Sequence, residues 1–172
     1  MKEYFWEEKG VYYRKNDFDS NKKTVVFLHG VSGSSSAWLP YEAKFEEKYN
    51  ILSMDLRGHG KSQKYKKYED YEIKDFAEDL HLLVQYLDIR NFVLVSHSFG
   101  AFVALEYLKS YGENVTSTVF LSPNYTMRDR LSARFLKYLL LPVPLLQAFP
   151  FSYNRGVHVD YTRFLNKKNW RV

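Results

Sequence analysis

The sequence predicts an α/β fold in which helices cover both faces of a mostly parallel sheet. The supporting observations are that strand-like and helix-like segments alternate along the chain and that the strand-like segments are continuously apolar. An apolar run such as residues 24–28 (TVVFL) is typical of a strand buried on both faces. With 172 residues, 45% of them hydrophobic, the chain is long enough for one domain with a core.

The predicted elements follow one another from the start of the chain. Strands are predicted at residues 3–7, 10–15, 24–28, 50–55, 91–96 and 117–121. Helices are predicted at residues 37–48, 71–87 and 99–111. The second helix has its apolar residues at helical spacing on one side only, which indicates that this side packs on the sheet. His81 falls among its polar positions, so we expect this histidine on the surface.

The pattern changes after Pro123. Residues 127–140 have the periodicity of a basic amphipathic helix, and the prolines beyond it interrupt the chain. We therefore expect a core at residues 1–125 and the start of a helical cap at residues 126–172. Residues 127–172 hold 9 basic and 2 acidic residues. Such a basic tail could bind an anionic membrane surface or an acidic partner, and a solvated helix face is the alternative interpretation.

The composition excludes several classes of protein. The chain has no cysteine, which excludes disulfides and thiolate metal sites and fits a reducing compartment. It has no zinc pattern, phosphate loop or RNA-binding signature, so we expect no metal, no cofactor and no nucleic acid. The charged N-terminus is unlike a signal peptide, and the longest apolar stretch is too short for a transmembrane segment. These features predict a cytoplasmic protein.

The strongest functional signal is the sequence Ser96-His97-Ser98-Phe99-Gly100 between a predicted strand and a predicted helix. A serine at such a turn projects from the sheet on a sharp bend, and small residues are needed two positions before and after it. Gly100 fills the second small position, and Ser96 occupies the first, where glycine is usual. Ser98 is therefore the candidate nucleophile, and His97 beside it is a candidate packing residue.

Two further motifs follow predicted strands. After the strand at 24–28 come His29, Gly30 and Val31, where a tight turn can aim the Val31 N–H at a developing oxyanion, together with the N–H of Phe99. After the strand at 50–55 comes DLRGHGKS, residues 55–62. We interpret its Asp, Arg and His as braces for the neighbouring loops.

These motifs together resemble the α/β-hydrolase fold family in order and spacing: LHG at 28–30, DLRGHGKS at 55–62 and SHSFG at 96–100. The resemblance covers about residues 10–125 as core and the remainder as the start of a lid. It implies ester or related acyl hydrolysis through an acyl-enzyme, with Ser98 as nucleophile and the N–H groups of Val31 and Phe99 as oxyanion hole. A serine at position 98 argues against the dehalogenase and epoxide-hydrolase branches, which use aspartate there.

One part of the family's pattern is missing. The triad runs serine, then acid, then histidine along the chain, and the only histidine after Ser98 is His158. No strand is predicted before it, so His158 is a weak candidate for the base. His29 and His59 lie on loops near the site and are possible substitutes. The simplest account is that the chain ends inside the cap, before the strands that carry the acid and the base.

Three hypotheses stay open from the sequence. The first is a serine hydrolase of small acyl substrates, in which a C-terminal half or a second copy of the chain covers the sheet edge at residues 117–121. In this case apolar cap residues between 139 and 149 would line an acyl pocket, or simply pack on the core. The second is a non-catalytic binding or interaction module. The third is a truncated, inactive product.

Overall fold

The computed structural model describes residues 1–123. It contains one six-stranded sheet in the order β1-β2-β4-β3-β5-β6. The strands are β1 (Lys2–Trp6), β2 (Val11–Lys15), β3 (Thr24–Leu28), β4 (Asn50–Met54), β5 (Phe92–His97) and β6 (Val115–Leu121). The helices are α1 (Leu39–Phe45), α2 (Ile73–Tyr86) and α3 (Gly100–Tyr111), with short 3₁₀ turns at Ser35–Trp38, Tyr68–Tyr71 and Gly112–Asn114.

The sheet is mostly parallel, as the sequence predicts. Strands β4, β3, β5 and β6 run parallel to one another, whereas β1 and β2 form an antiparallel pair that joins the sheet at β4. In a parallel sheet the carboxyl ends of the strands share one edge, and ligands of open α/β sheets bind there. The loops after β3, β4 and β5, which carry the three sequence motifs, are therefore brought together.

Helices cover both faces of the sheet, which confirms the predicted layering. On one face α2 and α3 bury the larger core, which includes Val26, Leu28, Leu80 and Leu94. On the other face Phe27 stacks on Trp38, next to α1, with 4.7 Å between the ring centroids. Each buried aliphatic side chain of the larger core contributes roughly 1.5–3 kcal/mol to folding.

Helix boundaries are shorter than the periodicity suggests, for local reasons. Helix α2 begins at Ile73 because the side chains of Glu72 and Asp75 form a capping box around its first turn. The predicted helix at 37–48 divides into a 3₁₀ turn, capped by the Ser34 side chain, and the short α1 with a proline in its first turn.

The cap predicted at residues 126–172, its helix at 127–140 and the apolar pocket residues lie outside the described residues. His81, expected on the surface, is instead half-buried, because its ring stacks on Tyr111 with 3.9 Å between centroids and its Nδ1 is buried. In the described part of the chain, every helix is too short or too polar to cross a membrane.

Candidate active site

Ser98 lies on a strained turn between β5 and α3. Its φ is +49°, in the left-handed region that non-glycine residues avoid. The Ser98 N–H donates to the carbonyl oxygen of Leu121 on β6 at 3.0 Å, and the Ser98 carbonyl accepts from the Ala101 N–H at 3.0 Å. Such strain costs of order 1–3 kcal/mol, persists only where the surroundings enforce it and is concentrated at functional sites.

Glycines allow the elements around Ser98 to pack closely. A Cβ on Gly100 would lie 2.8 Å from the carbonyl oxygens of both Leu28 and His29, so α3 could not pack against β3 with a larger residue there. A Cβ on Gly30 would lie 3.4 Å from the Ser98 Cβ. The turn after β3 is thus in contact with the nucleophile turn.

Ser96 occupies the small position before the nucleophile. It is fully buried in β5, and its hydroxyl has no hydrogen-bond partner among residues 1–123. The side chain is small enough for the turn, which agrees with its interpretation from the sequence, although burial of an unpaired hydroxyl is unfavourable.

The loop after β3 runs from Gly30, which lies against Ser98, to Val31. The Gly30 carbonyl accepts from the Gly33 N–H at 2.9 Å, which closes a tight turn around Val31. The Val31 side chain is 63% exposed. Within the described residues, the N–H groups of Val31 and Phe99 have no backbone acceptor.

His29 is structural and does not act as the base. It is fully buried; its Nε2 accepts from the Leu56 N–H at 3.0 Å, and its Nδ1 donates to the Gly30 carbonyl at 2.8 Å. Burial lowers the pKa of His29 to about 4, so the ring stays neutral near pH 7. Since both nitrogens are in use, His29 cannot take the proton of Ser98.

His59 also has both ring nitrogens near backbone groups. Its Nε2 lies 2.7 Å from the Val31 carbonyl oxygen and its Nδ1 lies 2.9 Å from that of Arg57. The second substitute base suggested by the sequence is therefore also engaged elsewhere.

His97 packs beside the site. Its Nδ1 would lie 3.0 Å from a Cβ on Gly30, so its ring lies against the turn after β3. Burial lowers the pKa of His97. Among residues 1–123 no histidine forms an ion pair with a carboxylate, which is the arrangement a catalytic triad requires. His158 lies outside the described residues.

The DLRGHGKS segment joins the loops of the site together. The buried Asp55 carboxylate accepts from the Ser35 N–H at 2.6 Å and from the Lys61 N–H at 2.8 Å. Arg57 binds the Asp79 carboxylate of α2 through two N–H groups and donates a third to the Asp70 carbonyl. These contacts match the bracing role predicted for the segment.

No metal site is evident in the described part of the chain. No group of three or more His, Cys, Asp or Glu side chains there could hold an ion. Around Ser98 the structure places a serine hydroxyl on a turn of positive φ, in contact with the turn after β3.

The family profile described as alpha/beta hydrolase fold matches residues 23–158. The chain belongs to this α/β-hydrolase family. "Putative carbamate hydrolase RutD" from Escherichia coli O9:H4 (strain HS) is 35% identical to it over 110 residues, which cover 64% of this chain and 40% of RutD.

Solved structures show the same relationship. The α/β hydrolase enzyme MGS-M2, from a Medee basin deep-sea metagenome library, has a TM-score of 0.63 and 26% identity, and the match covers 69% of this chain and 43% of that one. Est816, described as an N-acyl homoserine lactone degrading enzyme, has a TM-score of 0.61 and 26% identity, over 66% of this chain and 42% of that one. The chain thus spans 40–43% of the length of these three proteins.

Proposed function

We propose that this α/β hydrolase cleaves carboxylic esters or related acyl compounds, with Ser98 as nucleophile and the N–H groups of Val31 and Phe99 as oxyanion hole. The observation that carries the proposal is the position of Ser98 at φ +49° on the turn between β5 and α3, next to Gly30. The relatives support the class of reaction, since RutD and Est816 are described as acting on a carbamate and on a lactone.

The reaction proceeds in two halves. The Ser98 oxygen bonds to the substrate carbonyl carbon as its proton passes to a base, and the two N–H groups stabilise the negative oxygen. The bond to the leaving alcohol breaks as that alcohol receives the proton, which leaves an acyl-enzyme. Water then attacks the acyl group in the same way, and the proton returns to Ser98. Each lost oxyanion donor costs about 10²–10³ in kcat.

The base is the part that residues 1–123 do not supply, since their histidines form no pair with a carboxylate. We propose that an acid–histidine pair outside the described residues completes the site. His158 is one candidate, and a C-terminal half or a second copy of the chain is another. We also propose that residues 126–172 begin a helical cap and that the protein is cytoplasmic.

The test is hydrolysis of p-nitrophenyl butyrate, together with labelling by a fluorophosphonate probe. The purified chain and the Ser98→Ala variant are compared, with Ser96→Ala as a matched control because Ser96 is a buried serine on the same motif. We expect the Ser98→Ala variant to lose both activity and labelling, and the Ser96→Ala variant to retain both. Removal of the triad base can lower turnover by ~10⁶, so His158→Ala identifies or excludes that base.

Equal inertness of the folded chain and the Ser98→Ala variant would mean that the triad is incomplete in this chain, which points either to a C-terminal half that supplies the base or to the non-catalytic module. If the chain reacts equally well with and without the Ser98 hydroxyl, the assignment of the nucleophile is wrong. Far-ultraviolet circular dichroism of each variant establishes that it is folded.

A further inference from the structure

His59 contacts both halves of the proposed oxyanion hole. It lies on the loop between β4 and α2, and its Nε2 is 2.7 Å from the carbonyl oxygen of Val31. Its ring also stacks on Phe99, with 6.3 Å between centroids and 27° between planes. A single side chain from a third loop therefore contacts both residues whose N–H groups are proposed to bind the oxyanion.

A second histidine holds the other side of Val31. The peptide that carries the Val31 N–H has the Gly30 carbonyl at its other end, and His29 Nδ1 donates to that oxygen at 2.8 Å. The next peptide carries the Val31 carbonyl, to which His59 points its Nε2. A carbonyl oxygen only accepts, so this 2.7 Å contact is a hydrogen bond in the tautomer whose Nε2 carries the proton. The two peptides that flank the Val31 Cα are thus each held by one histidine.

The position of His59 is itself well determined. Its Nδ1 lies 2.9 Å from the Arg57 carbonyl oxygen, the longer of its two contacts with carbonyl groups. Its ring packs between His29, at 5.2 Å between centroids, and the edge of Phe76 on α2, at 6.5 Å. Arg57 in turn is held by Asp79, so the ring is linked to α2 through its own loop.

We propose that His59 is a positioning residue of the oxyanion hole, which orients the Val31 peptide for catalysis through a hydrogen bond to its carbonyl oxygen. This inference rests on the proposed function of Ser98 for its effect on rate, but not for its effect on the loop. Without the bond, Val31 is held only from the Gly30 side, and its N–H is no longer fixed toward the oxyanion. Misplacement of a catalytic group by about 1 Å can cost ~10² in rate.

The kinetic test uses the whole chain and three variants. His59→Gln keeps an N–H close to the position of Nε2, His59→Asn keeps one near Nδ1 instead, and His59→Ala keeps neither. We expect His59→Ala and His59→Asn to lower kcat for p-nitrophenyl butyrate by tenfold to a hundredfold with little change in KM, and His59→Gln to restore most of the loss. Equal losses in all three, or a change in KM alone, would overturn the positioning role.

A second readout does not require activity. In ¹H–¹⁵N spectra, the Val31 amide should shift or broaden in His59→Ala and His59→Asn and stay near its original position in His59→Gln. An unchanged Val31 amide in His59→Ala overturns the inference whatever the kinetics show. If Ser98→Ala leaves the reaction unaffected while the amide responds as expected, the proposed nucleophile is wrong but the positioning of Val31 by His59 stands.

Discussion

Arg57 and Asp79 form a two-point ion pair, in which Arg57 Nε and Nη2 each lie 2.7 Å from a different carboxylate oxygen. Both side chains are largely buried, at 13% and 7% exposure. The paired geometry fixes the loop after β4 to α2.

Replacement of Arg57 by alanine should destabilise the fold by about 3 kcal/mol, because it leaves the Asp79 carboxylate buried without a partner. Burial raises the pKa of Asp79, and Arg57 opposes that shift. The double variant Arg57→Met, Asp79→Leu should recover much of the loss, since no charge is then buried alone. Urea unfolding measures both effects. A double variant as unstable as the single one would mean that the pair's loop contacts, and not its charge, stabilise the fold.

Gly100→Ala should lower stability by about 1–3 kcal/mol, as expected for steric overlap in a packed interior. Its Cβ would lie 2.8 Å from two backbone oxygens that cannot move away. Gly112→Ala is the matched control, since its nearest neighbour would be a Leu108 methyl at 3.9 Å and its φ is −66°. That variant should be neutral or slightly more stable. Similar melting temperatures for both variants would disprove the close-packing argument.

Ser98→Gly should be ~0.5–1 kcal/mol more stable than Ser98→Ala, because glycine adopts a positive φ without the strain that a Cβ imposes. Both variants lack the hydroxyl and should fail to react with the fluorophosphonate probe. Thermal melting under identical conditions compares them. If Ser98→Ala is the more stable of the two, the turn is not strained.

Acidification should destabilise the fold through His29. Its pKa is lowered by burial from 6.5 to about 4, so the unfolded chain binds a proton in this range that the folded chain does not. The contribution of neutral His29 to the free energy of unfolding is complete above pH 6.5. It falls by ~3 kcal/mol in total as the pH drops toward 4. His97, whose pKa burial also lowers, acts in the same direction, whereas Glu42 and Asp79, whose pKa values burial raises, act against it.

Unfolding free energies at pH 7 and pH 5 measure this dependence, and the comparison with His29→Gln isolates the histidine. The variant should be less stable at pH 7 and less sensitive to pH. An NMR titration of the His29 ring in the native chain provides a direct control. A ring that becomes protonated between pH 7 and 6 would contradict the expected shift.

The sequence predicts the layout of the core because its signals are local. The apolar run at residues 24–28 and the serine motif at 96–100 depend on neighbours in the chain, and both have the predicted structure. His81 shows the limit of this reasoning. Its helix position is polar by periodicity, but Tyr111 on α3 lies across from it and covers the ring.

The roles of the histidines near the site also depend on distant contacts. His29 and His59 were both possible bases from their places in the sequence, and only the partners of their ring nitrogens distinguish a brace from a base. Those partners, Leu56 and Val31, lie 27 and 28 residues away along the chain. The pairing arises from the parallel arrangement of β3 and β4, which no local pattern specifies.

Asp55 has a consequence for protein engineering. Its two carboxylate oxygens accept from the backbone of two separate loops, through Ser35 and Lys61, and Gly60 leaves room for the carboxylate beside it. A graft that exchanged only the loop after β3 would replace the Ser35 donor to one oxygen and keep the Lys61 donor to the other. The two loops therefore form one module, and a library that aims to alter substrate preference should recombine them together.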